Sequence, residues 1–365
     1  MIPSLISIIN LLIINILIFF YRSNKYKILI FYHPKHILKN VSNYYIKKLL
    51  IFPNHKKIKV IILDNSKVNF FRYNFIKQYF VQYIYGVDLF LNNCVCDIFP
   101  KKCQRVYLHH DIYDSPLVNN KNEKTLFIRL KNYDHILIPS IKSKDIFNRL
   151  ILNYKKEKIK LSIVGYYKLD YFKNKLTEYK KKKQNNRIII APTDQYAFPN
   201  MSLVPKLQPI INQILNKTKI NIIFRPHPSN FNNNNIQKLK KIFINQKRIT
   251  FDDSKNYLKT YSSSDLMISD LSGTAYTFSF LTNRPTIFFS NYEKSLKKNK
   301  YRHLNFFKDR KKIGFIVTNE KNLVKILNNK YSYHNKTNEI KRLSFKIFKS
   351  GKSKLLFNNF IYKVL

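Results

Sequence analysis

An arginine and a histidine able to bind phosphate follow an apolar run in the C-terminal half of the chain. Residues 220–224 have the pattern of a buried strand, and Arg225, Pro226, His227 and Pro228 come directly after it. The prolines end the strand and hold the Arg and His side chains at its carboxyl end, the edge at which open α/β sheets bind ligands. Arg225 could pair with a diphosphate, and His227 could hydrogen-bond a phosphate or transfer a proton. The alternative is an Arg and a His exposed in an ordinary loop.

A second apolar run, residues 266–269, leads through Asp270 into Ser272, Gly273 and Thr274 and then into a helical pattern. Gly273 is one of only five glycines in the chain, so its position at this turn is informative. Small residues at a strand-to-helix turn expose backbone N–H groups at the helix N-terminus, and such groups bind phosphate. A plain N-cap formed by Ser272 or Thr274 is the alternative interpretation.

A histidine pair follows a strand-like run in the N-terminal half. Residues 105–108 precede His109, His110 and Asp111, and Asp114 lies three positions further on. A neutral imidazole oriented by a carboxylate is the usual arrangement of a general base. Asp111 or Asp114 could orient the ring or contact an acceptor substrate. A purely structural histidine pair is the alternative.

Two shorter groups follow strand-like runs near the middle of the chain. Residues 165–170 include Lys168 and Asp170, and residues 191–194 include Thr193. Each group is also compatible with a simple turn, in which Asp170 caps a helix or meets Lys168.

Apolar runs that alternate with amphipathic segments must position all of these side chains. Continuous apolar strands separated by helices indicate parallel sheets covered on both faces, and two series of strands indicate two doubly wound α/β domains. The predicted strands cover residues 27–32, 59–63, 105–108, 135–138 and 161–164, then 187–191, 220–224, 266–269, 286–289 and 313–317.

A lysine run and a polar tract over residues 173–186 mark the predicted break between the two domains. We therefore divide the chain into a hydrophobic helix (1–22), a first Rossmann-like domain (23–180) and a second Rossmann-like domain (181–345). A final helix (346–365) has the option of packing back on the first domain.

The N-terminal segment predicts attachment to a membrane. Residues 2–20 contain no charged side chain, and as a helix they would span roughly 28 Å, close to the thickness of a bilayer core. Arg22, Lys25 and Lys27 follow, which by the positive-inside rule places the rest of the chain in the cytoplasm. An interfacial or core-packed helix is the alternative.

The chain is strongly basic, with 67 Lys and Arg against 20 Asp and Glu and a formal charge of +47. The lysines are spread along the whole chain instead of forming one stripe, so a dedicated nucleic-acid binder is disfavoured. Attraction to anionic lipid or to phosphate-rich substrates fits better.

Three cysteines, Cys94, Cys96 and Cys103, lie within ten residues of one another. Their odd number and close spacing do not form a disulfide framework, and a zinc site needs more ligands at other spacings. We expect reduced thiols and no metal.

Six elements, taken in order, resemble the CDP-glycerol glycerophosphotransferase family of teichoic-acid and capsule polymerases. They lie at His109 or His110 and at residues 165–170, 191–193, 225–228, 270–274 and 283–285. Departures from the family's pattern occur at Tyr167 and Lys168, at Leu271 and at Gly273, and they leave the identity of the donor open.

The resemblance implies a GT-B-like architecture with its active site in a cleft between two Rossmann-like domains, the first (23–180) on the acceptor side and the second (181–345) holding the nucleotide donor. An acceptor hydroxyl would attack the β-phosphorus of a CDP-linked polyol and release CMP. His110 would be the general base, with His109 as the open alternative. Arg225, His227, residues 272–274, Asp270 and Thr193 would hold the donor, and Asp111 or Asp114 would orient the base or contact the acceptor.

The implied partners are a nucleotide-linked donor, a lipid-linked glycan or polyol-phosphate acceptor and the membrane surface, with no cofactor. Three alternatives stay open. They are a GT-B glycosyltransferase that uses a nucleotide-sugar, a nucleotide-sugar epimerase of similar fold, and a basic non-enzymatic protein that binds an anionic polymer.

Overall fold

Two compact units, each built on a six-stranded parallel sheet, make up the chain in the computed structural model. The structure describes residues 2–33, 44–64, 75–113, 128, 130–153, 158–179, 186–196, 198–254, 256–290, 292–293, 304–329, 331–348 and 351–365. The first unit comprises Met1–Asp111, Pro116–Tyr167 and Ser350–Leu365, and the second comprises Ile112–Ser115 and Lys168–Lys349. The division after Tyr167 lies earlier than the expected boundary at residue 180, and the last sixteen residues return to the first unit.

The first sheet has the strand order β2-β1-β3-β4-β5-β6, and each neighbouring pair is parallel. This order places the carboxyl ends of β1, β3 and β4 next to one another. The strands are β1 (Lys27–His33), β2 (Ile58–Asp64), β3 (Leu89–Asn92), β4 (Gln104–Leu108), β5 (His135–Ile138) and β6 (Lys160–Ile163).

The second sheet has the order β12-β11-β10-β7-β8-β9, again with parallel neighbours. If β7–β12 are renumbered 1–6 and the sheet is followed from β9 to β12, the strand order is 3-2-1-4-5-6. This is the order of dinucleotide-binding sheets, in which the topological switch point lies between the first and fourth strands. Here those strands are β7 and β10. The strands are β7 (Arg187–Ile190), β8 (Asn221–Phe224), β9 (Ile249–Phe251), β10 (Leu266–Ser269), β11 (Thr286–Phe289) and β12 (Gly314–Val317).

Helices connect and flank the strands of both units. They are α1 (Ile2–Ser23), α2 (Tyr44–Leu49), α3 (Ile141–Asn153), α4 (Tyr167–Tyr179), α5 (Leu207–Lys217), α6 (Asn234–Ile242), α7 (Tyr257–Ser262), α8 (Thr274–Thr282), α9 (Asn305–Lys308), α10 (Arg310–Ile313), α11 (Glu320–Asn328), α12 (Tyr331–Phe348) and α13 (Ser353–Val364).

The buried strands account for the apolar runs of the sequence. Ile188, Ile190, Ile268 and Ile287 lie in one core cluster with the apolar sides of α5 and α6, as expected where helices cover a parallel sheet. Gly314 opens β12 against β11 so closely that a Cβ there would stand 1.7 Å from a backbone carbonyl oxygen of β11. Only glycine fits at that position.

Candidate active site

Asp270 lies at the switch point of the second sheet, directly after β10, and is 0% exposed. One of its carboxylate oxygens accepts the backbone N–H groups of Thr193 (2.8 Å) and Leu271 (2.6 Å), and the other accepts that of Leu203 (2.6 Å). Burial raises the pKa of Asp270 to about 6, and the three backbone hydrogen bonds oppose this shift. The carboxylate therefore joins the end of β10 to the loop after β7.

This placement differs from the donor contact that the sequence suggested for Asp270. A carboxylate that is buried and already accepts three N–H groups has no face for a ligand, and its charge would repel a phosphate. Thr193 is likewise buried, and its carbonyl oxygen accepts the side-chain amide of Asn230 at 3.1 Å. Asp270 and Thr193 therefore fix the loops at this sheet edge, and their buried side chains are not accessible to a ligand.

Asn230 was not recognised from the sequence. It is fully buried, and besides its bond to Thr193 it accepts the backbone N–H of Gln195 at 3.3 Å. It therefore ties the loop after β8 to the loop after β7. The available signal was an asparagine in a turn, two residues after Pro228.

The N-terminus of α8 is the more open part of this edge. Ser272, Gly273 and Thr274 are partly exposed, and Gly273 occupies the N-cap position without a side-chain hydrogen bond. The N–H of Thr274 donates to the Ser272 hydroxyl at 3.3 Å, and the Thr274 hydroxyl bonds the Tyr261 hydroxyl. A helix N-terminus of this kind, with small residues around it, attracts anions through its dipole.

Arg225 has a partner that the sequence did not reveal. Its guanidinium donates to a carboxylate oxygen of Asp252 at 2.7 Å and to the carbonyl oxygen of Ser254 at 2.8 Å, which leaves 19% of the side chain exposed. Burial alone would raise the pKa of Asp252, but hydrogen bonds from Ser254 and Thr260 and the charge of Arg225 together hold it below its usual value. Arg225 is a paired cation, with only a small outer surface left for a diphosphate.

His227 is exposed at the end of β8. Its Nδ1 accepts the backbone N–H of Ser229 at 3.3 Å and lies 2.6 Å from the Ser229 hydroxyl. Because a backbone N–H can only donate, this network assigns the ring proton to Nε2. Protein atoms around the ring desolvate it and lower the pKa of His227, although Asp194 opposes the shift. At neutral pH the ring is therefore an uncharged donor through Nε2.

In the first sheet, the two histidines after β4 have opposite environments. His109 is buried, with its ring edge-on to Phe147 (centroids 5.0 Å apart) and its Nδ1 3.3 Å from the Tyr107 hydroxyl. The His110 side chain is 47% exposed, and its Nε2 lies 3.7 Å from a carboxylate oxygen of Asp111. Of the two, only His110 is open to a substrate.

The backbone around His110 is held from β6. Tyr166, which follows that strand, donates its hydroxyl to the carbonyl oxygen of His110 at 2.9 Å. Tyr166 is part of the group at residues 165–170 that the sequence analysis singled out, and its hydrogen bond positions the backbone of His110. Asp114 lies outside the described residues.

Two pairs at these sheet edges escaped the sequence analysis. At the ends of β1 and β3, His33 Nε2 lies 3.2 Å from the sulfur of Cys94. Beyond β11, the buried Arg310 donates to Glu293 at 2.6 Å. Both pairs join residues far apart in the chain, and neither sits in a recognisable motif. Across the residues that the structure describes, no three His, Cys, Asp or Glu side chains gather as a metal site.

Two parallel Rossmann-like sheets, one followed by an open histidine and the other by a partly exposed helix N-terminus at its switch point, give the chain a GT-B-like fold. The chain belongs to the family described as CDP-Glycerol:Poly(glycerophosphate) glycerophosphotransferase, whose profile matches residues 30–357. No curated protein matches the chain at significant similarity.

Solved structures share this fold. The wall teichoic acid polymerase TagF matches with a TM-score of 0.62 at 17% identity, over 99% of this chain and 97% of that chain. A TagF variant soaked with CDPG gives 0.62 at 15%, over 99% and 96%. Anabaena HepE in complex with UDP and glucose gives 0.53 at 11%, over 93% and 99%.

The family membership confirms the reaction class that the sequence elements predicted. The protein is a CDP-glycerol glycerophosphotransferase-type enzyme, which transfers a polyol phosphate from a CDP-linked donor. The predicted pair of doubly wound domains in a GT-B-like fold is confirmed as well, and the apolar N-terminal helix is present as α1.

Proposed function

We propose that this enzyme adds polyol-phosphate units to a lipid-linked acceptor at the cytoplasmic face of the cell membrane. An acceptor hydroxyl attacks the β-phosphorus of the CDP-linked donor, a new O–P bond forms, and the bond to the α-phosphate breaks so that CMP leaves. Such a transfer depends mainly on positioning and charge stabilisation. The family supports the donor class, and the apolar helix α1 supports the membrane location.

In this proposal the second unit binds the donor diphosphate. The main support for this assignment is the switch point between β7 and β10. There the partly exposed N-terminus of α8 follows Asp270, whose buried carboxylate holds the loop after β7. His227 contributes its Nε2–H to a phosphate oxygen, and the exposed edge of Arg225 adds positive charge. All of these groups lie at the ends of three adjacent strands.

His110 in the first unit removes the proton from the acceptor hydroxyl. Its exposure, the nearby Asp111 carboxylate and the Tyr166 bond to its backbone support this role. The burial of His109 argues against it as the base, because a buried ring cannot reach a substrate hydroxyl.

The test measures CMP release from CDP-glycerol in His110→Gln, His227→Ala and the control His55→Gln. His55 is an exposed histidine of the same unit as His110. We expect His110→Gln to lower turnover roughly 10²–10⁴-fold, the usual contribution of a general base, and His55→Gln to have no effect. Full turnover in His110→Gln would eliminate it as the base.

Donor binding is measured separately by the thermal shift that CDP-glycerol produces, since a ligand stabilises the folded state by mass action. His110→Gln should keep the shift and His227→Ala should lose most of it. The same measurement with UDP-glucose tests a second candidate, a nucleotide-sugar transferase, which the fold shared with the UDP-bound HepE structure keeps open. A larger shift with UDP-glucose than with CDP-glycerol would favour that candidate.

A further inference from the structure

The last of the six sequence elements, residues 283–285, has no part in the site described so far. Asn283 ends α8 in a left-handed conformation (φ 58°), and Pro285 leads into β11. Arg284 lies between them at the amino ends of the strands, whereas the groups proposed to bind the diphosphate follow the carboxyl ends. The nine residues of α8, about 13 Å of helix, separate Arg284 from Thr274. Arg284 is therefore outside contact distance of the diphosphate.

Arg284 clamps the C-terminal end of α7. Its Nη1 lies within hydrogen-bond distance of the backbone carbonyl oxygens of Tyr261 (3.3 Å), Ser262 (2.9 Å) and Ser264 (2.6 Å). The last carbonyl groups of a helix lack partners within it and form the negative end of its dipole, so a guanidinium is a favourable cap there. Arg284 thus fixes the position at which α7 ends.

Two successive residues of α7 hold the groups that are proposed to bind the diphosphate. The Thr260 hydroxyl donates to the same carboxylate oxygen of Asp252 that accepts the Arg225 guanidinium at 2.7 Å. The Tyr261 hydroxyl bonds the Thr274 hydroxyl at the N-terminus of α8. Helix α7 is therefore bonded on one side to the arginine that follows β8 and on the other side to the helix that follows β10.

These bonds of α7 are shielded from water. Thr260 is 8% exposed and Tyr261 is 2% exposed. The Tyr261 ring packs edge-on against Phe278 of α8, with the ring centroids 5.3 Å apart. Hydrogen bonds between buried and packed side chains hold their partners in one geometry. A displacement of α7 would therefore move both groups that the proposed function assigns to the diphosphate.

We infer that Arg284 is a positioning residue for the diphosphate of the CDP-linked substrate. By fixing the end of α7, it sets the spacing between Arg225 and the N-terminus of α8 so that both meet the same diphosphate. Charge-assisted hydrogen bonds to phosphate depend on such alignment. The inference rests on the proposed function for the identity of the substrate, and it deepens that function by assigning a role in substrate binding to a residue that does not touch the substrate.

The first test measures the rate of CMP release against the concentration of CDP-glycerol in Arg284→Met, which removes the clamp. We expect KM for CDP-glycerol to rise roughly tenfold, as for the misalignment of one charge-assisted hydrogen bond, while kcat stays within about twofold of the wild type. Arg284→Lys, whose ammonium group can still bond helix carbonyls, should recover most of the affinity. An unchanged KM in Arg284→Met would overturn the inference.

Arg248 provides a matched control in the same unit. Its guanidinium donates to the carbonyl oxygens of Thr218 (2.7 Å) and Leu215 at the C-terminal end of α5, so it caps a helix in the same way. Among the residues that the structure describes, α5 has no hydrogen bond to either of the two diphosphate-binding groups. Arg248→Met should lower the melting temperature as Arg284→Met does and leave KM unchanged. An equal rise of KM in both variants would assign the effect to lost stability and overturn the inference.

A mutant cycle tests whether Arg284 acts through α7. Thr260→Val combined with Tyr261→Phe removes both hydroxyl bonds of α7, and this pair alone should raise KM about as much as Arg284→Met does. Adding Arg284→Met to the pair should then raise KM little further, because residues that act through one element are not additive. Full additivity would show that Arg284 acts by another route and would overturn the inference.

Inorganic pyrophosphate, titrated by calorimetry, measures diphosphate binding without the reaction. Weaker pyrophosphate binding by Arg284→Met than by the wild type, together with absent CMP release in the wild type, would reject the proposed function and keep the positioning role. Normal CMP release in the wild type, together with an unchanged KM in Arg284→Met, would reject the positioning role alone.

Discussion

Replacing Asp270 by asparagine tests whether ionisation of this buried carboxylate lowers the stability of the folded state. Burial raises its pKa from 3.8 to about 6, against the opposing hydrogen bonds from Leu203, Thr193 and Leu271. A shift of about two units corresponds to about 3 kcal/mol. Because the folded state binds the proton more tightly than the unfolded state, this stability is present below about pH 4 and is lost as the pH rises through about 6.

The asparagine variant cannot titrate at this position. Its amide also turns a donor toward the N–H of Leu203, at a cost of about 1–3 kcal/mol that does not depend on pH. We therefore expect the stability of the wild type relative to Asp270→Asn to fall by about 3 kcal/mol between pH 4 and pH 7.

The assay is urea unfolding at several pH values, followed by hydrogen exchange of the amides of β7 and β10 so that the second unit is measured by itself. Asp253→Asn serves as the control, because Asp253 is a half-exposed carboxylate that pairs with Lys240 at the surface and follows β9 of the same sheet. A wild-type-to-variant difference that stays constant from pH 4 to pH 7 would refute the account of Asp270 as a strained buried anion.

Three further predictions concern the site and the core. Since burial lowers the pKa of His227 below its usual range, the ring is neutral at pH 7. Acidification should charge it and tighten CDP-glycerol binding, and calorimetry should find no such gain in His227→Gln. Tyr166→Phe removes the hydrogen bond to the His110 backbone, so CMP release should fall roughly tenfold. The thermal shift with CDP-glycerol should stay unchanged, and a loss of that shift would contradict a role of Tyr166 that is confined to His110. Gly314→Ala forces a Cβ against a carbonyl oxygen of β11 and should destabilise the second unit by about 3 kcal/mol or more; an unchanged melting temperature would show that β12 can move aside.

Much of the fold could be predicted because buried parallel strands are continuous apolar runs. The predicted strands at residues 135–138, 266–269 and 286–289 match β5, β10 and β11 end to end. The strand β3 was missed although its four residues are as apolar as those of β5. The strand β9 was missed because it contains only three residues. Runs that short carry no periodicity by which a strand can be distinguished from a loop.

The candidate site was predicted by position more than by role. The sequence placed Asp270 and Arg225 at strand ends correctly, but the depth of Asp270 and the pairing of Arg225 with Asp252 depend on contacts between distant segments. Likewise, His109 and His110 point to opposite environments because neighbouring residues at a strand end alternate in direction. Which one faces inward depends on the register of β4, and the sequence does not specify that register.

The return of the chain to its first unit has a consequence for truncation. Residues 350–365 belong to the first unit although they follow the second unit in sequence. Phe357 of α13 is buried and stacks on Phe52 of the first unit, so removal of this helix would expose apolar surface on the unit that contains His110. The two units therefore cannot be separated by one cut of the chain.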